Sequence, residues 1–322
     1  MEKQLEQFSD VNAQQLVRPP TRRRFRWLTD RLLVNIFLWP TFLLLLFITV
    51  FPLVWSLYLS FTSYSPKRDS VWTAAPWVGF QNYAELLADK DIWARFTTSA
   101  AVVVPTVLFE FLLGFGVAFL FSRQFKGRSF ITTAILIPMM LTTVVVGLFW
   151  RFMLQADIGI VNYFIHDIFG FPAVFWLTDT KAALASLVLV DAWQWTPFVF
   201  LISLAGLSAV PKYLYEAAEV DRASGWFKFR HITLPLISPL LLIAIIFRLM
   251  DTYKLFDLVW VLTNGGGSTN TKIVPSYLYE IAFGSLDIGK ASALGYIMLV
   301  VIIALANILV RVLNQLKTES DK

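Results

Sequence analysis

Six apolar blocks, roughly 32–59, 96–121, 130–153, 183–208, 236–260 and 290–313, decide what this chain can become. Each exceeds the about 20 residues that a helix needs to cross a bilayer's hydrocarbon core. No water satisfies the backbone there, so a spanning segment must hydrogen-bond to itself as a helix or close into a barrel. Barrel strands alternate apolar and polar residues over about ten positions, whereas these blocks are longer and mainly apolar. The fold class expected is therefore all-α, a polytopic membrane protein with six transmembrane helices. Residues 1–31 form an N-terminal tail, 32–313 a six-span membrane domain with a polar loop at 209–235, and 314–322 a C-terminal tail. The first block is too long for the core of a signal peptide, about 7–15 residues, and reads as an uncleaved span. Only 15% of the chain is charged, against about a quarter in soluble domains.

Charge then orients the spans. Seventeen Lys and Arg lie in the N-terminal tail, the connection around Arg123–Arg128, the 209–235 loop and the C-terminal end from Arg311 onward, against seven in the outer segments. Basic residues accumulate on the cytoplasmic side, so both termini and the 209–235 loop are expected there. The net charge of +5 thus belongs to membrane-flanking segments, which argues against nucleic acid as a partner. No cysteine is present, so disulfides and thiolate chemistry are excluded. His166 and His231 are far apart and suggest no metal site. No Gly-rich run continues into the Gly-Lys-Ser/Thr of a P-loop, so the chain is expected not to hydrolyse ATP and not to be an enzyme.

The loop between the fourth and fifth blocks carries the most specific signal, EAAEVDRASGWFKFRHITLP over Glu216–Pro235. Pro211 suits the first turn of a helix, where a missing N–H costs nothing. Leu214 to Val220 continue that helix, with Ala217 and Ala218 giving a smooth face and Glu216 pointing outward. Ser224 can cap a second short helix through Trp226, Phe227 and Phe229. Glu216, Ala217 and Ala218, with Asp221, Ala223, Phe229, Ile232, Leu234 and Pro235 in register, closely resemble the EAA loop of binding-protein-dependent ABC importers. In that family the loop grips the ATPase subunit. The resemblance implies ATPase-coupling roles for Glu216, Ala217, Ala218, Asp221, Arg222 and Gly225. The family's turn glycine falls at Arg222, and a glycine stands three residues later at Gly225. Either the backbone turns differently here, or a carboxylate holds Arg222.

Two outer segments extend the resemblance. Trp77–Leu87, WVGFQNYAELL, resembles an outer segment of carbohydrate-importer permeases, and Trp77, Phe80 and Tyr83 suit a helix in the membrane interface. Thr263–Gly267 stands where similar permeases carry T-x-GGP, with Gly267 in the proline's place. The chain is similar to the maltose- and glycerol-phosphate-type carbohydrate uptake subfamily, in its short six-span form. That resemblance implies a type I ABC importer permease fold in a bacterial cytoplasmic (inner) membrane, with surrounding lipid. It also implies three partners: an ABC ATPase dimer, a second permease subunit that is a different chain, and an extracytoplasmic solute-binding protein. ATP and Mg would bind the ATPase, with no cofactor on this chain. The solute expected is a sugar or related polyol. A stand-alone ion-coupled secondary transporter is the alternative; it would need an internal repeat or an ion site at broken helices.

Ionisable residues inside spans are functional candidates by default. Here they are Glu110, Arg151, Asp191, Arg248, Asp251, Lys254 and Asp257. The last four alternate in sign at spacing i, i+3, which places neighbours together on a helix. They read either as a self-compensated ladder or as a polar wall of the translocation path. Glu110 and Asp191 fall near mid-depth by rise per residue. Asp191, Trp193, Gln194 and Trp195 combine carboxylate, amide and indole, which suits a sugar. The substrate-path candidates are thus Glu110, Asp191, Trp193, Gln194, Trp195, Asp251, Lys254 and Asp257. Arg151 is expected to snorkel, Gly114 and Gly116 to admit close helix packing, and Pro138 to kink the third span.

Overall fold

The computed structural model describes residues 30–70, 75–266 and 271–320, so Gly267 and its turn lie outside the described residues. It divides into two units, Met1–Trp55 and Ser56–Lys322. Helix α1 (Asp30–Ser60) accounts for all that is described of the first unit. From Ile36 to Val54 its large apolar side chains are exposed, which suits a helix in lipid. Aromatic rings stack along it, Phe47 on Phe51 at 5.2 Å between centroids and Phe51 on Trp55 at 6.3 Å.

In the second unit a short helix, α2 (Gln81–Ala88), is pinned by Asn82. The buried Asn82 amide donates to the carbonyls of Ser60 and Thr62 at 2.8 and 2.9 Å. These are carbonyls that the end of α1 leaves without helical partners. Helix α3 (Lys90–Phe121) follows, with Asp89 accepting from the Asp91 amide as its cap. It packs along α6 (Thr180–Ala209), which Asp179 caps through the Ala182 amide. Gly114 makes that packing possible: a Cβ there would meet Val199 Cβ at 2.8 Å and the Thr196 carbonyl at 2.9 Å. Gly116, by contrast, faces open space, so the expected packing role falls to Gly114 within this chain.

The third apolar block is not one rod. It forms α4 (Arg128–Met140) and α5 (Thr143–Met153), whose axes differ by 96° across Leu141 and Thr142. Pro138 does not merely kink the block; the chain leaves the helix three residues beyond it. The fifth block also departs from expectation. After the loop helix α7 (Lys212–Val220), helix α8 (Leu234–Thr252) ends eight residues before 260. A turn at Tyr253–Phe256 then leads to α9 (Asp257–Thr263). Tyr253 is buried in a core cluster with Val103, Val107 and Ile281, so the chain turns to seat that ring. Asn264 and Gly265 close α9 in left-handed conformations, φ 51° and 74°.

Helix α10 (Val274–Tyr279) and α11 (Ile288–Ser320) complete the fold. Lys290 at the start of α11 reaches Glu85 on α2 at 3.4 Å. The Gln81 amide and this ammonium hold the Glu85 carboxyl below the usual carboxylate range. Among the described residues five helices are long and apolar enough to cross a membrane, or six when α4 and α5 count as one broken span. Among the described residues there is no strand, only an isolated bridge between Thr62 and Trp77.

Candidate functional site

Helix α7 starts at Pro211, which occupies the cap position (ψ 131°) rather than the first turn. It ends in a full Schellman motif: the Ala223 amide donates to the Ala218 carbonyl at 2.8 Å, and the Arg222 amide to Glu219 at 3.0 Å. Arg222 is the left-handed residue of that motif, φ 55°, a place glycine usually takes. The backbone therefore turns as a glycine would turn it. No carboxylate among the described residues pairs with the exposed Arg222 side chain. Ser224 Oγ then accepts from the Phe227 amide at 3.2 Å and caps the turn Gly225–Lys228. Gly225 has open space around it and needs no special conformation.

Two contacts tie this segment to the membrane helices, and a third braces it internally. Tyr215 OH lies 2.8 Å from the buried Thr233 hydroxyl, joining α7 to the start of α8. Lys228 pairs with Glu219 at 3.0 Å across the turn. Phe229 packs its ring against Phe115 and Phe119 on α3, with centroids 6.2 and 5.6 Å apart. Glu216, Ala217, Asp221 and Trp226 are exposed, and Val220 is 83% exposed. An apolar side chain so uncovered on a polar loop marks a surface that another molecule can bury. A cavity of about 490 Å³ beside it is lined by Leu214, Ala217, Ala218, Asp221 and Phe227.

The second constellation lies within the membrane helices. Arg248 on α8 is 2% exposed, and its Nε and Nη2 donate to Glu110 on α3 at 2.7 Å each. Nη2 also donates to Asp191 on α6 and to Thr252 Oγ1, both at 2.9 Å. Nη1 donates to Asp251 at 2.9 Å, and the guanidinium lies 4.8 Å from the ring centroid of Trp195. Glu110 and Asp191 are buried, whereas Asp251 is half exposed. A buried guanidinium is tolerated because its charge and donors are met on several sides.

This arrangement corrects the ladder reading. Arg248 and Asp251 do pair at i, i+3, but Lys254 and Asp257 lie beyond the end of α8 and are exposed. The main partners of Arg248 come from two other blocks. Trp193, Gln194 and Trp195 also part company. Trp195 joins the cluster, while Trp193 is exposed and meets Trp150 edge-on at 5.6 Å. Gln194 is turned to the break between α4 and α5, where it donates to the Leu141 carbonyl at 3.1 Å. Arg151 Nη1 donates to the Val261 carbonyl at 3.1 Å. A separate cavity of about 980 Å³, between α3, α4 and α6, is lined by apolar residues such as Pro105, Phe109 and Val188. Among the described residues no group of His, Asp and Glu could hold a metal ion.

Comparison with known proteins places these features in a family. Residues 110–318 match the family described as binding-protein-dependent transport system inner membrane component. A probable ABC transporter permease protein, y4oQ of Sinorhizobium fredii, is 36% identical, covering 88% of this chain and 90% of that one. The sulfoquinovosyl glycerol transport system permease protein SmoG of Agrobacterium fabrum is 31% identical over 90% of this chain and 93% of its own. The trehalose/maltose transport system permease protein MalF of Thermococcus litoralis is 34% identical over 74% and 80%. Among solved structures, a bacterial ABC transporter that imports the acidic polysaccharide alginate superposes with a TM-score of 0.76 at 22% identity. The match covers 89% of this chain and 96% of that chain, a likeness of fold that corresponds to the type I permease architecture. A capped polar loop between apolar spans, the matching family over 110–318 and relatives of nearly full length agree: this chain belongs to the inner membrane component family of binding-protein-dependent transport systems.

Proposed function

We propose that this chain is the permease subunit of an ATP-driven importer and forms half of the translocation pathway for a sugar or related polyol. The named solutes of its relatives, trehalose, maltose and sulfoquinovosyl glycerol, support that solute class. The chain sits in a bacterial cytoplasmic membrane with both termini inside, an orientation that its Lys and Arg distribution supports. Its partners are an ABC ATPase dimer, a second and different permease chain, an extracytoplasmic solute-binding protein and membrane lipid. ATP and Mg belong to the ATPase, and this chain carries no catalytic role. The stand-alone ion-coupled carrier is not favoured.

One observation carries this reading: the Glu216 segment is a capped helix–turn–helix whose exposed face is free while its other face is packed on α3 and α8. Glu216, Ala217 and Asp221 dock on the ATPase, Ala218 backs them from its buried position, and Arg222 and Gly225 lie in the turn behind them. Closure of the ATPase dimer on ATP displaces the segment. Phe229 passes that displacement to α3 through Phe115 and Phe119, and Leu234 passes it directly to α8. Glu110 on α3 and Arg248 on α8 join these two helices, so the movement reaches mid-membrane through a rigid pair. ATP thereby shifts the population from inward-open to outward-open by differential affinity for the two states. Among the substrate-path candidates, Asp251 and Trp195 border the cluster where it opens toward solvent. Glu110 and Asp191 hold Arg248 in place behind them.

Glu216→Lys tests this function. The variant is expected to insert normally, to lose copurification with the ATPase and to abolish solute-stimulated ATP hydrolysis. Normal stimulation by the variant complex refutes the assignment.

A further inference from the structure

We propose that Gln194 is the latch of a hinge in the broken third span, and hence a positioning residue for transport; this rests on the transport reading above. Between α4 and α5 the backbone is extended at Leu141 (φ −84°, ψ 145°) and at Thr142 (φ −69°, ψ 141°). Such a break releases carbonyls from helical pairing, and hydrocarbon supplies no water to replace the lost bonds. Gln194, fully buried on α6, donates from Nε2 to the Leu141 carbonyl and also reaches Thr143 Oγ1 at 3.4 Å. Its Oε1 has no partner, so the break alone holds this amide.

Both half-helices touch α6, α5 through Trp150 against Trp193, but their main supports differ. Helix α4 packs along α6. Helix α5 is fastened to α9, where a Cβ at Gly147 would meet Val261 at 3.1 Å and Arg151 donates to the Val261 carbonyl. Two rods with different main supports, joined by two extended residues, bend at the joint. Gln194 lies one helical turn from Asp191, which accepts from Arg248. A movement of α6 that loosens the ion cluster therefore also withdraws the amide from Leu141, and the joint is released when the cluster is.

The chain has no cysteine, so cysteines introduced at the exposed Ile131 on α4 and Phe149 on α5 can carry spin labels without background. In lipid nanodiscs the full chain is expected to give one narrow inter-label distance. Gln194→Met, similar in length but without a donor, broadens it roughly twofold. Gln194→Glu provides a folding control within one sample. Its protonated form donates to Leu141 and keeps the distance narrow; as pH rises, ionisation removes the donor and the distance broadens. The chain with Gln194 stays unchanged over the same range. The ionisable groups on the elements packed around it (Glu110, Arg151, Asp191, Arg248, Asp251 and Asp257) are common to both chains. In the assembled transporter Gln194→Met lowers the maximal uptake rate about tenfold and leaves the half-saturating solute concentration unchanged. Unchanged distances in both variants overturn the hinge, whatever uptake shows. Distances that respond in a chain that never binds an ATPase overturn the transport reading and leave the hinge standing.

Discussion

Arg248 and Glu110 stand 138 residues apart in sequence and form a two-point buried ion pair, Nε to Oε2 and Nη2 to Oε1, both at 2.7 Å. The pair bolts α8 to α3, and Asp191 adds α6 to the same joint. Removing one partner of such a pair leaves an uncompensated buried charge, which costs about 3–5 kcal/mol. Arg248→Met is therefore expected to lower the thermal unfolding temperature of the solubilised protein sharply. Adding Glu110→Gln to it should recover part of the loss, because one stranded carboxylate is then gone. Equal stability of Arg248→Met and the unaltered chain would contradict the geometry.

Gly114 and Gly116 are two residues apart yet should respond with opposite signs. A Cβ at Gly114 lands 2.9 Å from the Phe200 amide nitrogen and the Thr196 carbonyl, so Gly114→Ala forces α3 and α6 apart and costs about 1–3 kcal/mol. Gly116→Ala meets nothing, and the gain in helix propensity is up to about 1 kcal/mol. Unfolding of the isolated chain in detergent measures both.

Arg222 is held left-handed by the Schellman bonds around it, at a cost of about 1–2 kcal/mol for a side chain. Arg222→Gly removes that cost and gives back about 0.5–1 kcal/mol in backbone entropy, so a small net stabilisation of the loop is expected. Arg222→Val should be the worst of the three, since branching at Cβ suits this conformation least. Hydrogen exchange at the amides of 218–224 reports the order, and protection that rises with Val reverses it.

Phe229 links the loop to α3 without lying on the exposed docking face. Phe229→Ala is expected to leave copurification with the ATPase intact while reducing solute-stimulated ATP hydrolysis. Residues between two coupled sites change coupling by about 0.5–2 kcal/mol, so the reduction should fall between about twofold and thirtyfold. Loss of copurification would instead place Phe229 at the docking face.

By itself the sequence determined the medium, the fold class and the loop. Long apolar blocks report the solvent that surrounds them, and a helix is the local answer to the lack of water there. The Ser224 cap and the turn at Arg222 were legible for the same reason: capping is decided within a few residues. Tertiary structure alone decided where Arg248 finds its carboxylates, why Gln194 faces Leu141, and where α8 stops. Glu110 and Asp191 lie 138 and 57 residues from Arg248, and the contact between their helices depends on Gly114 and its neighbours along α3 and α6. Spacing along one helix suggested Asp251, Lys254 and Asp257 as the partners, but a turn at Tyr253 takes the last two away. Hydropathy shows that a buried charge must be compensated; only helix packing selects the residue that compensates it.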